Sequence, residues 1–142
     1  MTYITYSGGQ FGQISETQLA KLLKVSGDDL IAEVAAEINQ AESLVNGYAG
    51  QKYSLPLPDS PLPGKWTLAL AEYEIYKRGP GGNVPAKIRD SFEDTMKQLR
   101  DLAKGDIALP VGDDGSEPEL KIGAAVKVAS NTQIMNDDIY GY

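Results

Sequence analysis

Three Asp-Asp pairs, Asp28-Asp29, Asp113-Asp114 and Asp137-Asp138, are paired carboxylates of this sequence that could do chemistry. Acid–base chemistry needs two carboxyls held rigidly apart in environments that split their pKa values. All three pairs fall at helix starts or in polar segments, where helix capping and solubility account for them. Histidine and cysteine are absent, which removes the commonest general base, the commonest metal ligand and any thiolate zinc site. Only a lysine or a carboxylate could then activate a nucleophile, and no serine or lysine stands in a recognisable nucleophile motif. "GDDGSEPE" at 112–119 lacks the alternating acidic spacing and closing glutamate of a calcium loop. "GPGGN" at 79–83 lacks the lysine and Ser/Thr of a phosphate-binding loop, and no strand precedes it. The expectation is a protein that is not an enzyme and uses no metal or cofactor.

Charge narrows the partners. The net charge is −7, whereas nucleic-acid binders carry a basic face to neutralise phosphates. The most basic stretch, residues 85–105, balances Lys87, Arg89, Lys97, Arg100 and Lys104 with Asp90, Glu93, Asp94 and Asp101. This reads as a solvated helix face with i,i+4 pairs. No run of 18 apolar residues exists, and no basic-then-apolar leader opens the chain. A soluble protein is expected, with neither membrane nor sequence-specific nucleic-acid contacts. The lack of cysteine suits a reducing compartment without requiring one.

Eight tyrosines against two phenylalanines and one tryptophan are the other unusual feature. Tyr offers apolar area plus a hydroxyl that needs a partner, which suits surfaces buried on association. Tyr73 and Tyr76 fit the inner face of a helix. Tyr3, Tyr6, Tyr140 and Tyr142 lie at the two extended ends and have no such explanation.

Positioning these residues requires an all-α fold of four helices. Residues 1–14 read as an extended, Gly-rich lead-in. Ser15 with Gln18 forms a capping box for a short helix with Leu19, Leu22 and Leu23 on its apolar face, stopped by Ser26-Gly27. Asp28 or Asp29 caps a long helix to about residue 50, whose stripe runs through Leu30, Ile31, Val34, Ala35, Ile38, Ala41, Leu44, Val45 and Tyr48. Glu33, Glu37 and Glu42 take its other side. Gly47 and Gly50 either admit a neighbouring helix or let the last turns fray. A third helix starts at Pro63 or just after, with Trp66, Ala69, Leu70, Tyr73 and Tyr76 inward, and ends at Gly79. Pro85 opens a fourth, with Ile88, Phe92, Met96, Leu99 and Leu102 in line until Gly105. This helical domain spans 15–109. Residues 110–142 form an acidic linker and an extended arm with strand character over 120–130. From Asp106 to Tyr142 there are seven acidic and two basic side chains, too polar to build a core alone. Ile134, Met135, Ile139, Tyr140, Gly141 and Tyr142 mark either a mobile end or an arm that orders on a partner.

Between the second and third helices stands "KYSLPLPDSPLP", with four prolines between Pro56 and Pro63. Proline removes an amide donor and disfavours helix in the residue before it. The stretch therefore runs extended and restricts how the third helix returns against the second, with Leu55 and Leu57 packed inward. Either it is only a stiff crossing, or it also meets a partner directly.

This order of parts resembles the phage Mu-like head-tail connector family. The resemblance rests on Tyr53, Leu55, Pro56 and Leu57 as a Tyr-x-Leu-Pro-Leu signature after a long helix ending in Gly47-Tyr48. It rests further on the small residues and tyrosines of "LALAEYEIYKRG" and, at the end, on Gly141-Tyr142. It covers residues 14 to 109 and the last ten; the Gly-rich lead-in and residues 110–133 depart from the pattern. The resemblance implies a structural virion protein, arranged as a ring beneath the portal, that binds the portal ring, sister subunits and tail proteins. It implies no reaction and no cofactor. A tail-completion or other morphogenesis factor, or an interaction module outside phages, is the alternative.

Overall fold

A computed structural model describes residues 3–55, 57, 61–109 and 118–120. Pro56 and the arm residues Ile134, Met135, Ile139, Tyr140, Gly141 and Tyr142 lie outside them. Four helices carry the fold: α1 (Glu16–Leu23), α2 (Asp28–Ala49), α3 (Pro61–Arg78) and α4 (Ala86–Lys104). The fold is all-α, and the described residues outside the helices add only two isolated bridges, Phe11 with Ile14 and Tyr53 with Leu120.

Local chemistry sets the boundaries. Ser15, in extended geometry, accepts the Gln18 N–H at 3.2 Å and starts α1. Its end comes earlier than Ser26-Gly27: Lys24 turns left-handed and donates its N–H to Ala20 O at 2.8 Å. Gly27 stands at the N-cap of α2, so Asp28 and Asp29 fall in its first turn and make no cap bond. There their charges complement the positive end of the helix dipole. α3 starts at Pro61, two residues ahead of the expected point, because a first turn has no use for the N–H groups that Pro61 and Pro63 lack. A short 3-10 turn, Pro80–Gly82, leads to Pro85 at the N-cap of α4, which stops at a left-handed Gly105.

α3 is the centre of the packing and touches each of the other three helices. Trp66, Leu70 and Ile75 are fully buried along it, against Val34, Ile38 and Val45 of α2 and Leu99 and Leu102 of α4 in one core. The Trp66 indole N–H donates to Gln98 Oε1 of α4 at 2.7 Å, so the one polar atom of the largest core side chain is satisfied. Tyr73 and Tyr76 are half-buried rather than interior. Tyr73 stacks on Phe92 of α4, with centroids 3.9 Å apart, and Tyr76 packs on the core's edge.

Two polar expectations for α2 change. Glu37 and Glu42 are buried, at 5% and 7% exposure, instead of lying outward with Glu33. The helical period explains this, since both sit within the stripe that runs from Val34 through Ile38 and Ala41 to Val45. Gly50 is approached by the side chain of Leu55, not by another helix, while Gly47 faces open space. The lead-in also joins the core: Phe11 and Ile14 exchange both backbone hydrogen bonds, at 2.8 and 2.9 Å, and both are buried.

Candidate partner interface

The connection after α2 is organised by Tyr53. Its backbone N–H donates to Ala49 O at 2.9 Å, and its buried hydroxyl accepts the Leu109 N–H at 3.1 Å. Beside it, Ser54 N–H donates to Glu119 O at 2.6 Å, and Tyr53 faces Leu120 in an antiparallel bridge. Residues 118–120 thus return to the C-terminal end of α2. Leu57 is 1% exposed, and its N–H donates to the Tyr3 hydroxyl at 3.3 Å.

Leu55 does not share this burial. A regular extended strand would put residues 53, 55 and 57 on one face. The chain bends at Leu55 instead, and its side chain lies over Gly50 at 45% exposure. Leu120, paired with Tyr53 across the bridge, is 44% exposed, and Leu44 of α2 is 39% exposed. Leu44 borders a shallow groove formed with Gln40, Ala41, Leu70, Glu74 and Phe92. These three leucines are the large hydrophobic side chains left open among the described residues. Tyr48 is half-buried near them in sequence.

A second hollow, about 260 Å³, lies between α3 and α4 and is lined by Trp66, Glu72, Asp94, Thr95 and Gln98, with Gln13 and Lys65 at its edge. Glu72 accepts the Gln13 N–H at 2.8 Å. Burial raises its pKa, and the hydrogen bond from Gln13 opposes that rise. Gly12 is required here: it holds φ +59°, and a Cβ would stand 2.6 Å from Glu72 Oε2. All three buried glutamates hold parts of the fold together. Glu72 holds the Gly12-Gln13 turn, Glu42 accepts the Tyr3 N–H, and Glu37 takes Arg78 at 2.8 Å. Among the described residues no cluster of three or more His, Cys, Asp or Glu could hold a metal ion. No helix described is long and apolar enough to cross a membrane.

The family model described as "Bacteriophage Mu, Gp36" matches residues 10–128 of this chain. The chain belongs to the bacteriophage Mu Gp36 family. A curated relative, the Mu-like prophage FluMu protein gp36 of Haemophilus influenzae, is 28% identical over 101 residues, which cover 70% of this chain and 69% of that protein. No solved structure matches significantly. The Gp36 match starts at the Phe11–Ile14 turn, earlier than the helical pattern suggested. It also takes in residues 110–128, for which the sequence offered no counterpart, and stops short of 129–142.

Of the residues singled out by sequence, the structure brings together Tyr53 and Leu57 in the core and leaves Leu55 outside. Tyr73 and Tyr76 lie on α3, away from that connection in sequence. Glu72, Gln13 and Leu120 were not singled out; Glu42 was placed outward and Leu44 on the inward stripe, and the structure reverses both, Leu44 lying open at the rim of the groove with Leu70 and Phe92. For the two glutamates the signal was present: each falls among apolar residues at helical spacing. For Leu120 none existed, because its place depends on pairing with Tyr53 across the fold.

Proposed function

We propose that this Gp36-family chain is a structural virion protein of a tailed phage or prophage. It forms a ring below the portal and joins head to tail by binding, without catalysis. The membership in the Mu Gp36 family carries this reading. Three open leucines, Leu44, Leu55 and Leu120, support it as apolar surface for a portal or sister subunit. The engagement of Glu37, Glu42 and Glu72 in holding the fold supports it too, since no buried carboxylate is left over for chemistry among them.

The test mixes the chain with the portal ring encoded beside it and reads the product by light scattering and negative-stain imaging. A ring of added mass on one portal end is expected. Deleting residues 131–142 should abolish that binding while leaving the unfolding midpoint unchanged. A folded chain that ignores the portal but captures tail subunits would replace this reading with tail completion.

A further inference from the structure

Residues 3–6 lie in a groove between α2 and α3 that is shaped to receive them. The Tyr3 N–H donates to the buried carboxylate of Glu42. The Tyr3 hydroxyl donates to Asn46 Oδ1 at 2.5 Å and accepts from the Leu57 N–H at 3.3 Å. On the α3 side Gly64 leaves the room: a Cβ there would stand 3.2 Å from Ile4 Cγ2 and 3.4 Å from the Tyr3 carbonyl oxygen. Across the groove, Ile4 and Tyr6 border Ala35 and Ile38 of α2. Emptying the groove would strip Glu42 of the Tyr3 donor and uncover Ile38, which is 2% exposed with the segment in place.

The link from this segment to its own chain is slight by comparison. Ser7, Gly8, Gly9 and Gln10 are exposed, and Gly8 and Gly9 hold φ of +127° and +81° with open space where a Cβ would point. Three exposed hydrogen bonds touch the linker, from the Tyr6 hydroxyl to Gly9 O at 2.7 Å, from the Gly9 N–H to Glu16 at 3.3 Å and from the Gln10 side-chain amide to Gly12 O at 2.7 Å. Four extended residues span about 13 Å. Beyond the groove, the Tyr6 ring meets Phe11 edge-on with centroids 5.8 Å apart, and a neighbouring copy of identical sequence offers the same groove together with its own Phe11. Exchange of an identical element between protomers is a low-cost route to association.

We infer that, in the assembled state, residues 3–6 of one copy fill the α2–α3 groove of the next, as an exchanged strap hinged at Gly8-Gly9. The occupant is a second copy of this chain. The inference rests on the ring reading only for bringing the copies into reach.

The chain has no cysteine, so engineered thiols report cleanly. Two full-length variants, Ile4→Cys and Gly64→Cys, are mixed and oxidised, both alone at high concentration and with the portal. Neither can link within itself at this site, so a disulfide-linked pair of one I4C and one G64C chain forms only through an exchanged strap. The double variant in one chain checks that the site closes within a single copy, and thermal unfolding checks that each variant folds. The linked pair is expected, and Gly8→Pro should raise its yield on the order of tenfold, since proline cannot adopt the φ that returns the strap to its own groove. Links confined to single copies, or no linked pair under either condition, would overturn the exchange. Sedimentation of the unsubstituted chain with the portal reads ring formation separately. Rings without linked pairs leave the connector reading intact, and linked pairs without rings leave the exchange intact.

Discussion

Tyr53 and Leu57 each join segments distant in sequence. The Tyr53 hydroxyl fixes the chain after α4, and its backbone receives residues 118–120. Leu57 fills the core below it at 1% exposure. Leu57→Ala should therefore lower stability by about 2–5 kcal/mol, read as a fall in the urea midpoint, because a buried leucine leaves a cavity as well as losing its transfer energy. Leu55→Ala, at a side chain 45% exposed, should stay within about 0.5 kcal/mol. Equal losses at the two positions would contradict the bend that separates them. Periodicity alone put both leucines inside, since it counts spacing and has no access to a local change in chain direction.

At the scale of elements, α2 and α3 are held in register by a charged tie as well as by their core. Arg78, at the end of α3, reaches Glu33 and Glu37 of α2, each at 2.8 Å. The bonds to Glu33 and then Glu37 raise the arginine's pKa, so it stays charged under all ordinary conditions. Glu37 is the buried member, and without Arg78 its carboxylate loses its charged partner inside the fold. Arg78→Ala should cost about 1–3 kcal/mol, while Lys97→Ala, which breaks an exposed pair with Asp101, should stay below about 1 kcal/mol. Chemical denaturation of the two variants side by side decides this. The Lys97–Asp101 pair was legible from its i,i+4 spacing on one helix. The Arg78 tie was not, because it joins residues 41 and 45 positions apart.

For the whole molecule, Glu72 couples stability to pH by clamping the lead-in onto the helices. Burial raises its pKa above the ordinary value of 4.5. The folded chain then keeps a proton that the unfolded chain releases. Stability is lost as pH rises from the unfolded value through the folded one, and the loss is absent below both. Glu72→Gln preserves an acceptor for the Gln13 N–H but cannot ionise. Between pH of about 4 and 7 the variant should gain stability relative to the parent, measured by unfolding midpoints at each pH. A constant difference across that range would mean that Glu72 ionises in the folded chain as it does in the unfolded one. Other carboxylates titrate in both proteins and cancel in the comparison.

The sequence by itself determined the four helices, their caps within a few residues and most of the buried stripe. These follow from the helical period and from backbone rules for Ser15, Pro85 and Gly105, all of which act over a turn or two of chain. It also carried the Tyr-x-Leu-Pro-Leu signature that pointed toward Mu-like phage proteins. Only the tertiary structure decided that Glu37, Glu42 and Glu72 are interior, that Leu55 faces out, and that Tyr3 and Tyr6 pack on their own chain's core. Each of these depends on which partner meets a side chain from far along the chain. A buried carboxylate is tolerated only where such a partner arrives, and neither composition nor spacing records that arrival.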